Sequence, residues 1–134
     1  MLFRSRMLKH MGFMKLADHE YKESIDEMKH AEKIIERLLF LDAIPKMDYL
    51  PLNVGQTVRA QLEADLKLEI NAVTMYNKAA KAAHEAGDAA SAELFRLLLK
   101  DEEAHVDWLE AQMHQIKEIG YEIYLTTKVG GSEE

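Results

Sequence analysis

Cysteine is absent from the 134 residues, and proline occurs only twice, as Pro45 and Pro51. Without a thiol there is no disulfide framework, no iron–sulfur cluster and no thiolate zinc site. Because both prolines fall within seven residues of each other, the rest of the chain is free to be helical. Glycine is also scarce, with 6 residues. No apolar run reaches 18 residues, so no membrane span is predicted. Basic charge is in deficit: 17 Lys and Arg against 24 Asp and Glu give a net charge of −7. A general nucleic-acid binder would show the opposite balance. The opening Met1-Leu2-Phe3-Arg4-Ser5-Arg6 lacks the apolar core and cleavage site of a secretory signal, so a cytoplasmic location is expected.

What remains is 48% hydrophobic and 31% charged, the composition of a helical protein with one hydrophobic core. A single domain over residues 1–134 is therefore expected, with an all-α fold. The segment Phe13 to Leu41 reads as a long helix, roughly 43 Å from end to end, with Glu27, His30, Ile34, Leu38 and Leu41 as its inward stripe. From Asp42 to Gln56 the two prolines and Gly55 break any helix. Fifteen extended residues reach roughly 50 Å, enough to return along that helix, so the flanking helices are expected to run parallel in a crossover topology.

A second long helix is predicted from Thr57 to Glu85, with Leu62, Leu66, Glu69, Val73, Tyr76 and Ala80 on one stripe. After Gly87, Asp88 is placed to cap a third helix reaching Glu118 before Gly120. Its stripe is Phe95, Leu98, Glu102, His105, Leu109, Met113 and Ile116. The short Gly87-Asp88 turn makes these two helices antiparallel neighbours. Tyr121–Lys128 is predicted as a short terminal helix, and Gly130 to Glu134 as a frayed tail. Met1 to Met11, stopped by Gly12, reads as the last turns of a longer first helix.

Two copies of one pattern carry the chemistry: Asp26-Glu27-Met28-Lys29-His30 and Asp101-Glu102-Glu103-Ala104-His105. Glu and His three apart share a helix face, so each copy offers a carboxylate and an imidazole in one direction. The spacing alone is cheap, since 16 Glu and six His give about 0.7 such pairs by chance. Context raises its value, because Glu27, His30, Glu69, Glu102 and His105 all lie in otherwise apolar stripes. A buried carboxylate needs a partner or a metal, and three acids with two imidazoles suit iron or manganese. The plainer alternative is a buried Glu–His hydrogen-bond network. His19-Glu20 begins like a zinc-protease motif, but Glu23 stands where its second His belongs. Met28 points about 100° away from the metal face, towards solvent or a partner. His10, His84 and His114 read as surface residues.

Glu20-Tyr21-Lys22-Glu23-Ser24-Ile25-Asp26-Glu27-Met28-Lys29-His30-Ala31, with Ile35-Glu36-Arg37-Leu38-Leu39-Phe40-Leu41, closely resembles the second helix of bacterioferritins. Asp65-Leu66-Lys67-Leu68-Glu69 and Asp101-Glu102-Glu103-Ala104-His105-Val106-Asp107-Trp108-Leu109-Glu110 resemble their third and fourth helices. The resemblance implies a ferritin-like four-helix bundle with a long crossover between the second and third helices and a short fifth helix. It further implies a di-iron ferroxidase centre in which Glu27 and Glu102 bridge the irons while His30, His105 and Glu69 are terminal ligands. Met28 is the implied ligand of haem b shared between two subunits. The implied assembly is a hollow shell of 24 subunits built from two-fold dimers, served by a ferredoxin-type electron donor. The family's first helix carries one more metal-binding Glu than this chain contains. A truncated first helix is therefore expected, completed by an upstream segment, a separate N-terminal helix peptide or a neighbouring subunit. Lys22 stands where some members place a His on the inner cavity surface. The implied function is iron storage and detoxification by oxidation of Fe(II). The alternative is a non-catalytic haem-binding or structural shell subunit with a degenerate di-iron site. A rubrerythrin-type peroxidase ranks below both, for want of Cys.

Overall fold

The structure is a computed structural model that describes residues 2–48 and 54–130. All its regular elements are helices: α1 (Leu2–His10), α2 (Met14–Phe40), α3 (Val58–Glu85), α4 (Ala89–Ile119) and α5 (Tyr121–Thr126). These bounds lie within two residues of those read from the sequence. The middle of the proline-containing connection, 49–53, and the tail beyond 130 lie outside the described residues. The chain divides into two compact units, Met1–Val58 with Ile116–Glu134, and Arg59–Gln115. No helix among the described residues is long and apolar enough to cross a membrane.

In the first unit α1 and α2 form a helical hairpin. The Gly12 amide donates to the Lys9 carbonyl and the Phe13 amide to the Leu8 carbonyl, closing α1 with a Schellman motif. That motif requires the left-handed φ of 89° that Gly12 adopts. Ser5 Oγ donates to the Ala17 carbonyl across the hairpin at 2.9 Å, with Leu8, Leu16 and Ala17 buried beside it. The end of α2 repeats the closure with an aspartate: Asp42 (φ 58°) donates to Leu39 and Ala43 to Leu38. Beyond α5, the Lys128 carbonyl accepts from the Lys15 amide at the start of α2. Tyr124, fully buried, anchors this segment, and the Lys128 ammonium sits 5.0 Å above its ring. Burial, then Tyr121, pushes the Tyr124 phenol above the usual tyrosine range. Burial, then Lys15, pulls the Lys128 ammonium below its ordinary value.

In the second unit three residues turn α3 into α4. The Gly87 amide donates to His84 and the Asp88 amide to Ala83, the same closure at φ 75°. Asp88 then caps α4, accepting from the Ser91 amide at 3.1 Å through Oδ1 and from the Ser91 hydroxyl through Oδ2. Tyr76 and Phe95 stack with centroids 6.3 Å apart, and Glu69 meets His105 further along, so α3 and α4 run antiparallel. Leu62 and Ala80 on α3, with Ala92, Leu98 and Leu109 on α4, supply buried apolar contact.

One expected stripe needs correction. Leu41 was placed on the inward face of α2 and is instead 49% exposed. The helix ends at Phe40, and Leu41 is its C-cap, its amide shared between the Arg37 and Leu38 carbonyls. The chain has already left the helical path there, so the periodicity no longer dictates a direction. The face that is buried lies earlier, at Leu16, Ala17, Glu20, Glu23 and His30.

Candidate metal centre

Within the second unit, Glu102 and His105 occupy successive turns of α4 between Leu98 and Leu109, both essentially inaccessible. Helical spacing carries Glu102 onto the same stripe, and it is fully buried. Glu69 comes from α3, where it is 4% exposed. His105 Nδ1 lies 3.5 Å from Glu102 Oε2 and 3.8 Å from Glu69 Oε2. Each of the three residues brings one potential ligand atom within 4.8 Å of the others. Ligands of one octahedral cation with bonds of about 2.1 Å stand about 3 Å apart, so small side-chain rotations convert this trio into a half-shell. Two carboxylates with one imidazole form a hard, anionic donor set, which iron and manganese satisfy and a soft metal does not. Two acids sealed beside one imidazole also carry an electrostatic cost that a cation relieves.

In the first unit the other copy of the pattern has the same internal geometry. His30 Nδ1 faces Glu27 Oε1 at 3.8 Å; His30 is buried, and the Glu27 side chain keeps 34% of its surface. The sequence reading missed Glu20 and Glu23, which lie on this face and are each 3% exposed. The signal was present, since Leu16, Glu20, Glu23, Glu27 and His30 follow steps of 4, 3, 4 and 3. Charged residues at the middle positions disguised the stripe as a polar surface. Gln61 and Asp65 were missed on α3 for the same reason. They precede Glu69 at intervals of four and are 2% and 1% exposed. Met28 is 53% exposed, as its position one step past Glu27 requires, and Tyr21, two turns earlier on that face, is 45% exposed. His10, His84 and His114 are exposed as expected, and so is Lys22.

Comparison with known proteins bears directly on this constellation. The family described as Ferritin, a ferritin-like domain, matches residues 2–119. A bacterioferritin of Brucella melitensis is 42% identical over 120 residues, covering 89% of this chain and 74% of its own length. A bacterioferritin of Mycobacterium avium is 41% identical over 121 residues, 90% of this chain and 76% of the relative. This chain belongs to the bacterioferritin family. A more distant bacterioferritin, from Streptomyces coelicolor, still matches at 36% identity over 126 residues, 93% of this chain and 75% of its own. The ferritin-like match runs through α1 to α4, so the four residues of the paired pattern and Glu69 all fall inside it.

Proposed function

We propose that this bacterioferritin-family chain oxidises and stores iron, with Fe(II) as substrate. The observation that carries the reading is the Glu69–Glu102–His105 trio, two buried carboxylates and one largely buried imidazole held within a few ångströms in one unit. Glu27 and His30 on α2 complete the centre in this proposal. Glu27 and Glu102 would be the carboxylates shared by two Fe(II) ions, with His30, His105 and Glu69 as terminal ligands. The chain acts as one ferritin-like domain, a reading supported by a family match that runs through both units.

The carboxylates bind Fe(II) by displacing part of its water and favour the ferric product, whose extra charge they neutralise. Two Fe(II) ions supply two electrons, enough to reduce dioxygen and two protons to hydrogen peroxide, or peroxide and two protons to water. Imidazole ligation through Nδ1 is prepared in both copies, because that nitrogen already faces the neighbouring carboxylate. Leu98 and Leu109 keep bulk water from the α4 side, so the charges act through a medium of low polarity.

Haem b fits the exposed face of α2, where the Met28 thioether and Tyr21 offer a ligand and a flat apolar contact. When bound there between two copies, it supplies a one-electron path for releasing stored iron, with a ferredoxin-type protein as donor. A cytoplasmic shell of 24 copies, built from two-fold dimers, is the assembly this reading entails. Stopped-flow absorbance tests the centre: Glu102→Ala combined with His105→Ala abolishes fast oxidation of added Fe(II). Unchanged traces in that double variant overturn the assignment.

A further inference from the structure

We propose that His19 and Glu23 form a second cation site on α2, a station from which Fe(II) passes to Glu27. The inference rests on the iron-oxidising reading above and extends it to the route of entry. His19 Nε2 lies 2.6 Å from Glu23 Oε1, across one helical turn. The side chains are unequal in exposure, His19 at 28% and Glu23 at 3%, so the pair reaches from solvent into the buried face of the helix. Glu23 Oε1 is engaged with the imidazole. Its other oxygen, Oε2, is buried and accepts no hydrogen bond among the described residues.

A hydrogen bond to His19 therefore satisfies only half of a buried carboxylate, which is costly as a purely structural arrangement. A divalent cation resolves it. Ligand atoms at bonds of about 2.1 Å sit about 3 Å apart, so the pair needs to open by only a few tenths of an ångström. Both Glu23 oxygens then face a positive charge. The proton that Nε2 shares with Glu23 is not lost from the balance: it moves to Nδ1 as the ring changes tautomer, or leaves to solvent if the ring was charged.

The local field favours a cation. From Asp18 to Glu27 the helix carries five carboxylates, Asp18, Glu20, Glu23, Asp26 and Glu27, against one ammonium, Lys22. Glu27 stands one turn beyond Glu23 on the same face, and its side chain is 34% exposed. Two protein ligands leave the remaining positions to water, which suits a site that must release its ion.

Anaerobic titration of the full-length protein with Co(II), counting bound metal per chain, reads the site directly. The double variant His19→Gln, Glu23→Gln is expected to bind one cobalt fewer than the parent while keeping those lost in Glu102→Ala, His105→Ala. His19→Gln alone, at the more exposed position, is expected to lose the same ion, which guards against a folding artefact at Glu23. An unchanged cobalt count in both His19 variants overturns the site. An unchanged count and oxidation rate in the Glu102 and His105 variant instead overturns the parent reading, and with it the role of His19 and Glu23 as a station.

Discussion

The two copies of the Glu-x-x-His pattern have the same spacing and the same Nδ1-facing geometry, yet they sit in unlike surroundings. Glu102 on α4 is fully buried, while the Glu27 side chain on α2 keeps a third of its surface. His30 and His105 reverse the order, their side chains 5% and 12% exposed. Helical spacing accounts for the likeness and packing for the difference. Glu102 lies between Leu98 and Leu109 beside His105, which meets Glu69 from a second helix, whereas the face around Glu27 is lined by other acids. The contrast therefore lies in the carboxylates, one sealed inside the packing and the other half-open.

The largest expected effect breaks this contrast at the ligands. Glu102→Ala should lower the initial rate of Fe(II) oxidation at least about 100-fold, since loss of a mere supporting residue around a metal already costs about 10 to 100-fold. Glu27→Ala should lower it less, because water can take the place of a half-open carboxylate. Stopped-flow traces at matched Fe(II) compare them, and equal losses would erase the distinction. Next in size is the packing behind it. Leu109→Ala should cost about 2–5 kcal/mol in urea unfolding, while Leu41→Ala, at the exposed end of α2, stays within about 0.5 kcal/mol.

Smaller effects probe how each helix is started and stopped. Asp88→Ala removes the side-chain cap of α4 and should cost about 1 kcal/mol by the same measurement. The start of α2 at Phe13 has no side-chain cap to lose. Asp42→Gly should add about 0.4–1 kcal/mol, because it relieves a left-handed residue in the closure that Gly12 and Gly87 make without strain. A decrease in melting temperature on that change would show that the Asp42 side chain contributes more than its backbone strain costs.

Much of the helical layout was legible because its signals are local. Gly12 and Gly87 close helices by adopting a conformation other residues resist, and Asp88 supplies a cap at the spacing a helix start needs. The candidate site was legible in part for the same reason, since Glu102 and His105 share a face by helical pitch alone. Glu20, Glu23, Gln61 and Asp65 escaped notice because a buried polar stripe looks, in sequence, like a solvated one. Leu41 misled in the opposite sense, its apolar side chain continuing a period that the helix itself does not.

The sequence by itself determined the helices, their stops and the internal geometry of each Glu–His pair, because all three depend on contacts within a few residues. Only the tertiary structure decided that Glu69 meets His105, 36 positions along the chain, and that one motif's carboxylate is sealed while the other's stays accessible. Burial is a property of what packs against a helix face, and no spacing along a single helix contains that information.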